Sequence, residues 1–161
     1  HGKDSAAAHT LALHSRGSVG RALALDPEVF MEECHYIEEE LQKLTKNSFT
    51  ELSRFAEWLV ADRVRKSATN PETGTNRPTG DRLELVLSWY EEVLRCAVLG
   101  QKGILRYRDR SSAVSHMATA LGVNGALRQL ALVYDTIQVL GRNANRRLAV
   151  EDMLLQLAKA S

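Results

Sequence analysis

Apolar side chains recur every three or four residues along most of this 161-residue chain, and alternating strand patterns are almost absent. Such spacing places side chains on one face of an α-helix, because the helix turns once every 3.6 residues. The clearest seam begins after Asp26 and ends before Thr45. It consists of Phe30, Cys34, Ile37, Leu41 and Leu44. The sequence therefore predicts an all-α fold, a helical bundle of about five to six helices.

Helix start signals place the first two long helices. Asp26 followed by Pro27 is a strong start, since aspartate caps a helix and proline fits its first position. Ser48 and Glu51 have the spacing of a capping box, which predicts that a second helix begins there. The buried face predicted for this second helix consists of Phe49, Leu52, Ala56, Leu59 and Val60. A polar stretch at residues 67–79 then predicts a solvated loop.

Two more helical stretches follow the loop. Residues 81–99 carry apolar side chains around most of the helix, so we expect this helix to lie centrally. Asp109 is placed to cap a short helix that Gly122 ends, and Asn124 to cap a helix over residues 125–140. The buried seam predicted for residues 125–140 consists of Leu127, Leu130, Tyr134 and Ile137.

Composition is that of an ordinary globular protein, with 44% hydrophobic and 25% charged residues. The net charge of +1 gives no general attraction to nucleic acid or to an anionic membrane. Cys34 and Cys96 lie far apart without a metal-binding or secretory pattern, which predicts a reduced, cytoplasmic protein. No run approaches the ~18 apolar residues that span a bilayer. The chain begins at His1 within a helical pattern, so we expect it to be part of a longer protein.

No catalytic, cofactor-binding or metal-binding motif stands out. Glu32 and His35 have the spacing found in di-iron sites, but such a site needs a second pair of the same kind. We therefore interpret them as surface or capping residues. The glycines at 17 and 20 lack the Lys-Ser/Thr pair of a phosphate-binding loop. The sequence predicts no cofactor and no enzymatic activity for this chain.

Arginines form two clusters, and basic residues are mostly Arg, which suits interface ion pairs better than Lys. A GC-rich genome explains the same bias. The first cluster consists of Arg106, Arg108 and Arg110, and the second of Arg142, Arg146 and Arg147. For the first we expect salt bridges to acidic helices or subunits, with phosphate contact as the second interpretation. The second arginine cluster lies at a helix N-terminus, where the helix dipole disfavours cations, so an acidic group or polar interface should compensate. We expect the acidic run at residues 38–40 to face solvent.

The chain end predicts a helical hairpin, in which Gly141 ends one helix and Asn143 or Asn145 starts the last. NRRL at residues 145–148, running into DMLLQL at residues 152–157, resembles the C-terminus of delta prime, a subunit family of the bacterial DNA polymerase III clamp loader. HGKD at residues 1–4 with SRGSVGRAL at residues 15–23 is similar to the end of its AAA+ lid domain. Residues 83–99, with Trp89 and the stretch at residues 106–109, resemble its central collar helices.

The resemblance implies two regions, a remnant of the AAA+ lid domain at residues 1–25 and a helical collar domain at residues 26–161. It implies a non-catalytic role, in which the collar packs against the gamma/tau and delta subunits in a hetero-pentamer. Contact with the sliding clamp and primed DNA would be indirect, and no membrane is involved. Gly20 stands where ATP-binding subunits of the family have a sensor arginine, which favours delta prime over a gamma/tau-like subunit. The sequence also leaves open a helical nucleic-acid-binding module and a helical enzyme or metal protein.

The subunit interface implied by this reading lies on the outer faces of the last two helices and their turn. We expect Leu148 and Leu155 to face inward, and Met153, Leu154 and Leu157 to widen the apolar stripe beyond what one contact needs. The predicted interface residues are Arg142, Asn143, Asn145, Arg146, Arg147, Met153, Leu154 and Leu157.

Overall fold

The computed structural model describes residues 12, 27–61, 80–141 and 145–159. Within these residues the chain forms five α-helices and no strand, which confirms the all-α prediction. The helices are α1 (Pro27–Lys43), α2 (Phe49–Val60), α3 (Gly80–Leu99), α4 (Ser111–Leu140) and α5 (Arg146–Lys159). Short 3-10 turns at Gly100–Gly103 and Arg108–Arg110 join α3 to α4. In these ranges no helix combines the length and apolar character needed to cross a membrane.

Two predicted features fall outside the described residues. These are the lid remnant at residues 1–25, apart from Ala12, and the polar loop at residues 67–79.

Helix α3 lies at the centre of the bundle, as its apolar circumference predicts. It packs against α1, α2 and α4, and Trp89 and Tyr90 are almost completely buried. The Trp89 ring meets Tyr107 edge to face at 5.1 Å, and its indole N–H donates to the Met117 sulfur at 3.3 Å. This aromatic cluster holds the α3–α4 connection and the start of α4 against the central helix.

The predicted seam of α1 is confirmed, since all five of its side chains are buried. The capping box at the start of α2 is also present, with the backbone N–H of Ser48 donating to the Glu51 carboxylate at 2.7 Å. The prediction for Phe49 is wrong, because this side chain is 63% exposed. It lies in the first turn of α2, at the edge of the buried face. Phe55 packs inside instead, against the rings of Tyr36 and Trp58.

A buried arginine joins the first three helices. Arg82 on α3 donates its Nε–H to Glu33 on α1 at 3.0 Å, and both side chains are buried. Its guanidinium lies 4.3 Å from the centre of the Trp58 ring and donates to the carbonyls of Trp58 and Ala61 at the end of α2. A planar fork of five donors suits this set of acceptors, which a lysine would not satisfy.

Helix α4 is bent at Gly122, where φ is 61° and ψ is −178°. This backbone region is essentially open only to glycine. The break predicted at Gly122 is therefore confirmed, although the two helical stretches meet directly as the halves of one bent helix. The capping role predicted for Asp109 is wrong. Asp109 lies in the preceding 3-10 turn, and the N-cap residue, Arg110, makes no side-chain cap hydrogen bond.

Candidate subunit interface

The last helix is held against α2 by a small polar network at its start. The Ser53 hydroxyl donates to the Glu151 carboxylate at 2.6 Å, and Arg147 donates to both Glu151 and Ser53 at 3.1 Å. These hydrogen bonds lower the pKa of Glu151, with the bond from Ser53 having the larger effect. For Arg147, the acidic group expected to compensate the arginine is thus Glu151, one turn later in α5.

Asn145 is the residue that starts α5. Its side-chain oxygen accepts from the backbone N–H of Leu148 at 3.3 Å, and its carbonyl accepts from Ala149 at 3.0 Å. Of the two asparagines predicted as starts, Asn145 therefore acts as the cap. Arg142 and Asn143 lie outside the described residues.

The apolar face of α5 is rotated from the one predicted. Met153, Leu154 and Leu157 are fully buried within the chain, so they are not on an outer face and cannot belong to a subunit interface in this conformation. Leu148, expected to face inward, is 61% exposed. The reason is that α5 lies between α2 and α4, and these two neighbours cover both sides of the apolar stripe.

An exposed surface remains at the start of α5 and α2, which we call the terminal edge. Arg146, Arg147 and Leu148 are exposed on α5, together with the cap residue Asn145. Phe49 lies one turn before Ser53 on the same side of α2, beside the polar network that joins the two helices. The terminal edge thus combines two exposed apolar side chains with two arginines. Three of the predicted interface residues lie there: Asn145, Arg146 and Arg147.

The second half of α4 carries a larger apolar surface that the sequence pattern assigns to the core. Leu127 and Tyr134 are 52% and 53% exposed, and Val123, one turn earlier, is 43% exposed. The face that packs inward consists of Gly125, Ala126, Gln129, Val133 and Thr136. These small or hydrogen-bonded residues let α4 approach its neighbours closely, and the Gln129 amide donates to the Leu157 carbonyl at 3.5 Å. The prediction that Leu127 and Tyr134 line the core is therefore wrong.

We call this surface the heptad stripe. Its residues are Val123, Leu127, Leu130, Tyr134 and Ile137, spaced four, three, four and three apart. Leu130 and Ile137 are half-buried and also pack against the core. An open groove of about 390 Å³ runs beside it, between α3 and α4. The groove is lined by Glu91, Leu94, Arg95, Val98, Leu99 and Leu130. Val98 and Leu99 are each about 60% exposed, so the end of α3 extends the apolar surface of the stripe.

The terminal edge and the heptad stripe lie on different sides of the bundle. Gln129 marks the side of α4 that faces α5. At about 100° per residue, the exposed stripe residues lie roughly 120–160° around the helix from Gln129. The stripe therefore faces away from α5, whose start carries the terminal edge.

The first arginine cluster is used mainly inside the chain. Arg106 donates to Glu91 at 2.7 Å, and Arg110 pairs with the buried Glu38 on α1. The predicted salt bridges to acidic helices are confirmed for these two arginines, while Arg108 is exposed. Arg108–Arg110 forms a 3-10 turn.

A fully buried carboxylate organises the same connection. Glu92 on α3 accepts from the backbone N–H groups of Leu105 at 2.6 Å and Arg106 at 3.3 Å. It also pairs with the guanidinium groups of Arg95 and Arg106. Gly103 allows the connection to lie close to the backbone of α3, because a Cβ there would lie 2.5 Å from the Arg95 carbonyl oxygen. We call this arrangement the Glu92 cluster.

The acidic run of α1 does not simply face solvent. Glu39 is exposed as predicted, but Glu38 is buried against Arg110. Burial raises the pKa of Glu38, and the hydrogen bond from Arg110 partly offsets that effect. The partner of Glu38, Arg110, comes from a turn 72 residues later in the chain, which a local sequence pattern does not indicate.

Neither cysteine nor histidine residues assemble a recognisable reactive centre in the described ranges. No three His, Cys, Asp or Glu side chains there lie close enough to hold a metal ion. His35 is exposed and lies 3.1 Å from Glu39, four residues later on α1. Cys34 and Cys96 are buried thiols.

Comparisons with family models, curated proteins and solved structures give no match for this chain.

Proposed function

We propose that this chain is a subunit-assembly domain, the collar-forming region of a bacterial clamp-loader subunit of the delta prime type. The proposal starts from the resemblance of the terminal hairpin and the central helix to that family. The observation that carries it is the presence of two exposed apolar surfaces on different sides of one helical bundle. A subunit that packs head to tail in a ring uses two different faces, one for each neighbour.

The terminal edge has the composition of an interface rather than of an ordinary solvated helix end. Aromatic residues and arginine are enriched in protein interfaces, and the terminal edge carries Phe49, Arg146 and Arg147 as exposed residues. Arg147 is held by Glu151 and Ser53, so its position is already ordered before any partner binds. Ordering in the free subunit reduces the entropy lost on association.

The test uses the full-length protein mixed with the gamma/tau and delta subunits. Arg146→Glu combined with Arg147→Glu should lower incorporation into the hetero-pentamer at least tenfold, measured by size-exclusion chromatography with light scattering. Both side chains are exposed, glutamate suits a helix N-terminus, and the buried face of α5 is untouched, so helicity measured by circular dichroism should be unchanged. Because Arg147 also bonds Glu151 and Ser53, Arg146→Glu alone, which leaves those hydrogen bonds in place, should lower incorporation in the same direction.

A matched control reverses two other exposed cations, Lys102→Glu with Arg108→Glu, in the α3–α4 connection. This control should assemble like the unmodified protein. If the unmodified protein fails to join the pentamer, the proposed function is wrong. If the Arg146 and Arg147 variant assembles normally but loads clamps poorly, these arginines belong to a DNA or clamp contact.

A further inference from the structure

The indole N–H of Trp89 is a buried donor whose partner is a sulfur atom. Trp89 is 1% exposed, and its N–H donates to the Met117 sulfur at 3.3 Å. A thioether is a weak acceptor, but a buried donor that loses its partner costs free energy. Tyr107 packs against the same indole ring, edge to face. The Met117 sulfur therefore links the first half of α4 to α3 beside the α3–α4 connection, residues 100–110.

Met117 is the part of this contact that solvent can reach. Its side chain packs on the core but is only half-buried, and the preceding residue, His116, is exposed. The chain has two other methionines. Met153 is 1% exposed, and Met31 is half-buried with no hydrogen-bond donor on its sulfur among the described residues. In the described ranges, Met117 is therefore the methionine that combines solvent access with a hydrogen bond from a buried group.

Hydrogen peroxide oxidises a thioether in one balanced reaction. A lone pair of the sulfur attacks one peroxide oxygen, so that an S–O bond forms and the O–O bond breaks. The second oxygen leaves as water once it has taken up the proton of the first. The sulfur loses two electrons, and the peroxide gains them. The product, methionine sulfoxide, is polar and chiral where the thioether was apolar.

The sulfoxide oxygen does not fit the present contact. A hydrogen bond from nitrogen to oxygen spans about 2.7–3.2 Å. The sulfur itself lies 3.3 Å from Trp89 Nε1, so no room remains for an oxygen between the two atoms. An oxygen directed at the indole pushes the Met117 side chain away from α3, whereas an oxygen directed elsewhere leaves the indole N–H with a poorer partner. Both arrangements weaken the link between α4 and α3.

We infer that Met117 is an oxidant-responsive modification site, and that its conversion to the sulfoxide by peroxide loosens the α3–α4 connection. Methionine sulfoxide reductases reverse this change, so the site can return to its thioether form. The inference does not rest on the proposed function, because it uses only contacts within the chain.

The experiment treats the full-length protein with hydrogen peroxide and locates the sulfoxide by peptide mass mapping. Met117 should be oxidised about tenfold faster than Met153, because the core shields the Met153 sulfur. Hydrogen exchange measured by mass spectrometry should then show the amides of residues 100–110 exchanging about fivefold faster, since a weakened link raises the population of the open form. Peptides of α5 should exchange as before.

Two leucine variants assign the effect, since leucine replaces methionine at nearly constant volume. Peroxide should leave the hydrogen exchange of Met117→Leu unchanged, whereas Met31→Leu should respond like the unmodified protein. Reduction of the sulfoxide by methionine sulfoxide reductases should restore the original exchange. Oxidation of Met117 as slow as that of Met153, full oxidation without faster exchange at residues 100–110, or the same response in Met117→Leu overturns the inference. Equal acceleration along the whole chain overturns it too, because that result shows general unfolding.

Discussion

Removing the charge of Glu92 should be one of the most damaging conservative changes in this protein. The side chain is fully buried and accepts hydrogen bonds from two backbone N–H groups while facing two guanidinium groups. Glu92→Gln keeps one acceptor oxygen but removes the negative charge. Breaking a buried ion pair from one side costs about 3–5 kcal/mol. Because Arg95 and Arg106 remain 31% and 16% exposed, part of this cost is relieved by water, and we expect about 2–4 kcal/mol.

The neighbouring residue is a matched control. Glu91 also pairs with Arg106, but it is 29% exposed, so Glu91→Gln should cost about 1 kcal/mol or less. Urea unfolding followed by tryptophan fluorescence measures both variants, with Trp89 as a buried reporter beside the same connection. A domain of ordinary stability has about 5–15 kcal/mol, so the Glu92 variant should remain folded at low temperature. Equal losses for the two variants, or a loss under about 1 kcal/mol for Glu92→Gln, would refute the assignment of Glu92 as the anchor of this connection.

The remaining predictions concern the bend in α4 and the network at the start of α5. Gly122→Ala should lower the free energy of unfolding by about 1–3 kcal/mol through backbone strain alone, because an added Cβ would meet no atom within 4 Å; unchanged stability in urea with increased helicity would show that the bend is not required. Hydrogen bonds lower the pKa of Glu151 in the folded state. The contribution of Glu151 to the free energy of unfolding is therefore present above the unfolded pKa and is lost as the pH falls through the folded pKa. Glu151→Gln should therefore flatten the loss of stability below about pH 4.3, measured by urea unfolding between pH 3 and pH 7, and an unaltered pH profile would contradict this role.

Local signals in the sequence are sufficient for the presence of the helices and for some of their limits. The seam of α1, the capping box at Ser48 and Glu51, and the break at Gly122 all depend on residues within one or two turns of each other. The central position of α3 is also predictable, because its apolar side chains leave little of the circumference for solvent. These features do not require knowledge of which helices meet.

The direction in which a helix faces is less predictable. Helix α4 carries two apolar faces, one small and one large, and both have helical spacing. The spacing favours the larger face as the core, although close packing through Gly125 and Ala126 buries the smaller one. In α5 the same difficulty affects the prediction, which places Leu148 inside and Leu154 outside. The structure has the reverse. Only the positions of neighbouring helices decide between two such faces, and those positions are set by contacts distant in the sequence.

Ion pairs between neighbouring segments are predictable from the sequence, whereas pairs between distant segments are not. A partner for Arg106 on the adjacent α3 follows from the acidic residues beside it, but the burial of Glu38 depends on an arginine far along the chain. For the candidate interface, the sequence indicates Asn145, Arg146 and Arg147, which do lie at the exposed terminal edge. It does not indicate the heptad stripe as a surface. The signal that could have identified it is a seven-residue repeat on a helix that already has a second apolar face.

The sequence distances spanned by these contacts differ widely, and they set an order in which the fold can close. The hydrogen bonds of the Glu92 cluster join residues 13 and 14 positions apart, whereas the bond from Ser53 to Glu151 joins residues 98 positions apart. Loop closure across the longer distance costs about 2 kcal/mol more in chain entropy. On this ground we expect the α3–α4 connection to form before α5 docks on α2. A partner that binds the terminal edge would then stabilise the part of the fold that closes last.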